Sequence, residues 1–246
     1  MKTALVTGGS RGIGAGIALA LADAGFQVAI NYNRGVDPAA ALQKTILAHG
    51  KMAKTFQADV SKYDDIQRLF DEVEKEFGPV DVLVNNAGLE IRHPSTEYDE
   101  ATWDIIMNTN LKGAFFCSQR ALRTMKDRGW GRIINISSVH ETRPTGNRSI
   151  YSISKGGMLM MTREHAREFG AFGITVNSIA PGAIRTDLNR KVLEDPAYEA
   201  MVLKNIPANY IGVPEDIGGT VVFLTSDAAR YVNGAAIYID GGLSLC

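Results

Sequence analysis

Two cysteines, Cys117 and Cys246, are all the thiols in 246 residues. That is too few for a disulfide framework, and neither has histidine or cysteine partners at ligand spacing, so no metal site is expected and a reducing compartment suits the chain. Charge of one sign is also missing. Lys+Arg total 26 against 27 Asp+Glu, leaving a formal net charge of -1, which excludes the basic balance that a nucleic-acid partner demands. Long apolar runs are absent as well. The longest, residues 15–30, is broken by Asp23, Gly25 and Gln27 and falls short of the ~20 apolar residues that cross a bilayer, so no membrane contact is expected. Strand-like residues follow Met1 and Lys2 directly, leaving no place for a basic leader with its own apolar core. The expectation is a cytoplasmic protein. Low-complexity tracts are missing too, and with 45% hydrophobic residues the chain has ample material for a core.

What is present is an alternation that runs from end to end. Short apolar runs read as strands at Ala4-Leu5-Val6, Gln27–Tyr32, 54–58, 80–84, 132–136, 174–177 and Ala236–Ile239. Between them lie helical patterns: 13–24, a stretch opened by Asp37-Pro38, one opened by Ser61 and carrying Ile66, Leu69, Phe70 and Val73, then 100–128, 152–169, 188–203 and 214–226. Strands separated by whole helices are parallel strands joined by crossovers, which are nearly always right-handed. The spacing predicts α/β architecture: a single-domain doubly wound parallel sheet, Rossmann-like, with helices on both faces.

In such a sheet ligands bind beyond the carboxyl ends of the strands. The first strand ends in Thr7-Gly8-Gly9-Ser10-Arg11-Gly12-Ile13-Gly14. Glycines there let backbone N–H groups approach a pyrophosphate, and the helix that follows adds its positive end. Gly8, Ser10, Arg11, Gly12, Ile13 and Gly14 are therefore candidate dinucleotide contacts. A carboxylate about 20 residues past the glycines would bind a ribose 2′-hydroxyl and repel a 2′-phosphate. Here Asn31 stands at the end of the second strand run and Arg34 follows. With Arg11 and Arg34 available to a phosphate, the expectation is NADP(H), with NAD(H) tolerated.

Tyr151 and Lys155 lie four residues apart in a helical stretch, so their side chains share a face. An ammonium beside a phenol favours the phenolate and fits the tyrosine for proton exchange. Ser137-Ser138 closes the fifth strand run thirteen residues before Tyr151, Asn85-Asn86-Ala87-Gly88 closes the fourth, and Pro181-Gly182 with Thr186 follows the sixth. Ser138 is placed to polarise a substrate oxygen. These motifs converge on one edge of the expected sheet.

Together the motifs Thr7–Gly14, Asp59-Val60, Asn85–Gly88, Asn110, Ser138, Tyr151-x-x-x-Lys155 and Pro181-Gly182 with Thr186 resemble those of the short-chain dehydrogenase/reductase family across the whole chain. The resemblance implies an NAD(P)-dependent oxidoreductase with Asn110, Ser138, Tyr151 and Lys155 as its catalytic set. Tyr151 would be the general acid/base, Ser138 would orient the reacting oxygen, Lys155 would lower the tyrosine pKa and hold the nicotinamide ribose, and Asn110 would keep a water in a proton relay. It further implies that Asp59 and Val60 border the adenine, that Asn86, Ala87 and Gly88 line the adenosine ribose, and that Pro181, Gly182, Ile184 and Thr186 flank the nicotinamide. A homotetramer is the implied assembly.

More narrowly, Asn85–Glu90, Ser137–Glu141, Pro181–Ile184 and the stretch 206–212 are similar to bacterial glucose 1-dehydrogenases, and the chain also resembles 3-oxoacyl-ACP reductases. The first likeness implies oxidation of an aldose to a lactone, the second the reduction of a 3-oxoacyl thioester. A non-catalytic dinucleotide sensor is the remaining alternative. Glu90, His140 and Asn147 lean toward a polar ligand; His140 and Glu141 alternatively brace Ser138. Residues 188–203 read as a lid over the substrate.

Overall fold

The apolar runs pair side by side. In the computed structural model, which describes residues 1–186 and 189–245 (at 191 and 192 the backbone alone), the strands are β1 (Thr3–Val6), β2 (Gln27–Tyr32), β3 (Ala53–Gln57), β4 (Val80–Asn85), β5 (Gly131–Ile136), β6 (Ile174–Pro181) and β7 (Ala236–Ile239). Among the described residues they form one parallel sheet in the order β3-β2-β1-β4-β5-β6-β7. β1, β5 and β6 are buried along their whole length, which is why apolar residues occupy both of their faces instead of alternating with solvated polar ones. Strand order reverses between β1 and β4, and that switch point opens a crevice at the carboxyl ends.

Two apolar layers flank the sheet. On one face, α1 (Gly12–Asp23), α2 (Val36–Ala48) and α9 (Pro214–Thr225) pack Ile17, Leu21, Ile46, Ile217 and Val221 onto Val6, Ile30 and Val84. On the other, α3 (Tyr63–Phe77), α5 (Gly113–Arg128) and α6 (Ser149–Phe169) contribute to a layer with Leu69, Phe70, Cys117, Met125 and Ala166 at its centre. Each fully buried large apolar side chain stabilises the fold by roughly 1.5–3 kcal/mol. α1 and α9 cross so closely that a Cβ on Gly16 would stand 2.6 Å from the Cβ of Pro214. A buried polar ladder ties the sheet to the second layer: Asn85 Nδ2 donates to Ser118 Oγ (2.9 Å) and Asn135 Oδ1 (2.8 Å), and Asn135 Nδ2 donates to Thr162 Oγ1 (2.9 Å).

Three elements differ from the sequence reading. The helix expected over 100–128 is α4 (Glu100–Met107) and α5 joined by a π-helical turn, Asn108–Lys112. The expected helix over 188–203 is two pieces, α7 (Arg190–Leu193) and α8 (Pro196–Leu203). Asp195 breaks it by accepting from the Ala197 N–H (3.0 Å), with Pro196 in the first turn of α8. Leu188 of that stretch, like Cys246, lies outside the described residues. Finally, α6 begins at Ser149, so Tyr151 falls in its first turn. Among the described residues, no helix is long and apolar enough to cross a membrane, and no cluster of three His, Cys, Asp or Glu side chains is placed to hold a metal ion.

Candidate active site

The glycine loop leaves β1 at the switch point and turns into α1. Gly8 and Gly12 adopt left-handed φ values of 59° and 54°, and a Cβ on Gly14 would stand 2.4 Å from the Gly8 carbonyl oxygen. Only glycines fit there. Among the described residues no side chain caps α1, and its first turn holds no acidic residue, so its opening N–H groups and positive dipole end suit a pyrophosphate. This cradle fits a dinucleotide. Ile13 is half-buried at the start of α1, while Arg11 is exposed; Ser10 Oγ borders Gly35, at the turn into α2.

Asn86 locks this loop to β4. Its Nδ2 donates to the carbonyls of Thr7 and Gly8, each at 3.0 Å, and the Asn86 and Ala87 N–H groups donate to Thr7 Oγ1. Gly88 then passes against Asn110 and Lys155: a Cβ there would lie 3.3 Å from Asn110 Oδ1 and 3.6 Å from Lys155 Nζ. On the far side, Thr186 closes on Gly12, where a Cβ would meet its Cγ2 at 3.3 Å. Pro181 ends β6, Gly182 donates its N–H to the Ile239 carbonyl, and Ile184 is buried. Asn189, which sequence reasoning missed, fixes that turn by accepting from the Thr186 N–H (2.8 Å) and donating to the Ile184 carbonyl (2.7 Å).

At the end of β2 the structure revises the reasoning. Asn31 is buried, and its side chain is occupied by backbone: Oδ1 accepts from the Gly8 N–H (3.2 Å), and Nδ2 donates to the carbonyls of Phe56 (3.3 Å) and Ala58 (3.1 Å). It is a strut beneath the glycine loop, not a group turned toward a ribose. The residues that open outward are Asn33 and Arg34, which with Asp59 and Lys62 line a polar cleft of ≈ 380 Å³. Asp59 Oδ1 accepts from the Ser61 N–H and Oγ, and Val60 beside it is buried.

Asn110, Ser138, Tyr151 and Lys155 come together as the motifs imply. Asn110 sits on the π turn with both side-chain atoms engaged: Oδ1 accepts from the Leu89 N–H (2.9 Å), and Nδ2 donates to the Leu89 carbonyl (2.9 Å) and Ser154 Oγ (3.1 Å). Ser138 Oγ accepts from the His140 N–H (3.2 Å). The Lys155 ammonium donates to the Ile136 carbonyl (2.8 Å) and lies 5.7 Å from the Tyr151 ring centroid. The electrostatics differ from the expectation. Burial drives the Tyr151 phenol up to about 12, with hydrogen bonding from Ser138 pulling the other way. Burial likewise pushes Lys155 down to about 8, opposed by the charge of Glu141. In the protein alone, desolvation outweighs the pull of the neighbouring cation.

The substrate-side candidates divide. Glu90 and His140 reach Tyr151. The His140 ring stands 6.2 Å from that of Tyr151, edge-on, and the Glu90 charge acts on the phenol. Asn147 is exposed and its backbone holds a turn: at φ 56° its carbonyl accepts from the His93 N–H (3.1 Å) and Tyr98 Oη (3.3 Å). Arg92 and Arg148 bracket Glu90 at 2.8 and 3.3 Å, and sequence reasoning missed both as contacts. The signal that could have found Arg148 is the pair of cations, Arg143 and Arg148, in the otherwise uncharged stretch 142–148.

Known proteins are similar to this chain over nearly its whole length. The family model for enoyl-(acyl carrier protein) reductase matches residues 8–244. The 3-oxoacyl-(acyl-carrier-protein) reductase FabG of Staphylococcus epidermidis is 40% identical over 242 residues, covering 98% of each chain. The 3beta-hydroxysteroid dehydrogenase 1 of Eggerthella lenta is also 40% identical, over 99% of this chain and 94% of that protein. Among solved structures, a gluconate 5-dehydrogenase from Burkholderia cenocepacia, in complex with NADP and tartrate, superposes with a TM-score of 0.93. It is 36% identical and covers 100% of this chain and 96% of that one.

Proposed function

The chain belongs to the short-chain dehydrogenase/reductase family and is an NAD(P)-dependent oxidoreductase acting on hydroxyl and carbonyl groups; from that premise we propose that its substrate is a small polyhydroxylated molecule. The observation that carries this reading is the lining beside Tyr151: Glu90, His140 and Arg148, converging polar groups rather than an apolar trough. The sequence-level expectation of an aldose falls within this class. All 246 residues are read as one NAD(P)-binding domain.

When bound, the nicotinamide accepts or gives the hydride. In oxidation Tyr151 would act as the phenolate, its own proton first given up with the Lys155 ammonium alongside, and would take the hydroxyl proton as the C–H bond is lost; in reduction the phenol would give its proton to the carbonyl oxygen. Ser138 holds the reacting oxygen against Tyr151. Lys155, anchored on the Ile136 carbonyl, keeps a positive charge within reach of the phenol and of the ribose hydroxyls, and Asn110 fixes Leu89 and the turn that faces them. NADP(H) is the preferred cofactor: Arg34 and Lys62 line the polar cleft beyond β2, and no carboxylate ends β2 itself.

A spectrophotometric screen at 340 nm with both cofactors tests the reading. Polyols and aldoses should be oxidised with NADP⁺; 3-oxoacyl thioesters reduced to the exclusion of polyols would replace it. That second reading, a 3-oxoacyl thioester reductase, is favoured by the 40% identity to the staphylococcal reductase over nearly the full length. The intact Asn110, Ser138, Tyr151 and Lys155 constellation speaks against a non-catalytic sensor. We further propose a cytoplasmic homotetramer, supported by exposed Trp103, Phe115, Ile153 and Met160 on α4, α5 and α6. Light scattering should then give four times the 26.6 kDa chain mass.

A further inference from the structure

The geometry points to a carboxylate on that polyhydroxylated substrate, anchored by Arg148; the inference rests on the reading above and narrows it to hydroxy acids. Arg148 lies at the N-terminal boundary of α6, three residues before Tyr151. Its side chain is only 16% exposed, and its buried Nε has no hydrogen-bond partner, though Glu90 Oε1 stands 3.3 Å away. A guanidinium so placed is a cation held ready beside the reacting group.

The surrounding charges do not balance it. Glu90 is shared, since the same Oε1 also pairs with Arg92 Nε at 2.8 Å. His140 adds nothing: its Nε2 accepts from Arg148 and its Nδ1 donates to the Arg143 carbonyl (3.0 Å), so the ring is neutral. Burial and the Arg148 charge both keep a proton off that ring. Two guanidinium groups against one carboxylate leave the Arg92–Glu90–Arg148 cluster with one positive charge. A single carboxylate matches that surplus and the planar fork of Arg148; a phosphate monoester carries about twice the charge. Tyr198 of α8 also acts electrostatically on Arg92, so the segment read as a lid borders the same cluster.

The test uses the full-length protein with NADP⁺ at 340 nm and a panel of aldonates, each beside the alditol that differs only in its carboxylate, D-gluconate against D-glucitol first. Aldonates should be preferred at least about 50-fold in kcat/KM. Arg148→Met should raise the aldonate KM about 100-fold, with a much smaller change in kcat, and Arg148→Lys should recover part of the loss. Glu90→Gln, which removes the competing anion, should shift KM the opposite way, several-fold lower. NADPH titration and thermal melting confirm that each variant is folded. Alditols or aldoses used as well as aldonates would overturn the carboxylate inference and leave the polyol reading standing. The carboxylate inference fails in the same way if Arg148→Met weakens both classes equally. Turnover of 3-oxoacyl thioesters alone would overturn the reading beneath it.

Discussion

Replacing Asn31 with aspartate separates two accounts of how β2 ends. If charge at this position selects the cofactor, Asn31→Asp should convert the enzyme to NAD(H) and leave its stability alone. The structure predicts the reverse. The two Nδ2 donations to Phe56 and Ala58, at 3.3 and 3.1 Å in a buried setting, would become a carboxylate oxygen facing two carbonyl oxygens. Each orphaned buried acceptor costs about 1–3 kcal/mol. The new carboxyl can recover one bond by staying protonated, so a net loss of about 3 kcal/mol is expected near neutral pH. For a domain of this size that lowers Tm by about 6–12 °C. Because the protonated acid is the tolerated form, the deficit should shrink as pH falls toward 5. The assay is thermal melting of both proteins across that range, paired with kcat/KM for NADP⁺ and NAD⁺. Arg34→Ser serves as the reference that does lower the NADP⁺/NAD⁺ ratio, by about tenfold. An Asn31→Asp protein as stable as its parent, yet switched to NAD⁺, would refute the strut.

Other outcomes follow from the same groups. Tyr151→Phe should bind NADPH with unchanged affinity in a fluorescence titration while losing about 10²- to 10⁴-fold in turnover; full activity would remove the phenol from proton transfer. Lys155, at about 8 in the fold against 10.5 when unfolded, makes the unfolded chain the greater proton binder between those values, so this group's contribution to stability should rise with pH there, by about 2 kcal/mol from pH 8 to 9.5, offset in part by Cys117 and Tyr151, both held at about 12. Above pH 10 the trend reverses as Tyr151, held at about 12, keeps its proton longest in the fold. Urea titrations should show the rise vanish in Lys155→Met. Cys117, buried and pushed up to about 12, should react with a thiol reagent only after unfolding in a Cys246→Ser background.

Much of the fold is legible directly because buried parallel strands are apolar-rich words of four to eight letters, and helices such as α3 carry a full apolar stripe at Ile66, Leu69, Phe70 and Val73. The glycine cradle is equally legible, since a missing Cβ is visible in sequence. What escapes is anything set by two distant segments. Nothing local marks the π turn at Asn108–Lys112; it exists because Asn110 must reach Leu89 and Ser154. The ladder from Ser118 through Asn85 and Asn135 to Thr162 joins four elements, and each member alone looks like a stray polar residue. Asn31 misleads for the same reason: its charge can be judged from sequence but not its neighbours. The break at Asp195-Pro196, by contrast, is a readable capping signal.

The π turn carries one last implication. A regular helix advances about 100° per residue, so the extra residue sets α4 and α5 out of phase by that amount, and each half has its own correct facing only because of the offset. Deleting one residue anywhere in 108–112 would straighten the rod and look harmless by propensity. It would nonetheless swing either the Cys117–Ala121 side away from the sheet or the Asn110 amide away from the reaction chamber. The irregularity acts as a clutch between packing and chemistry, and length changes within this helix should be tolerated far less than substitutions along it.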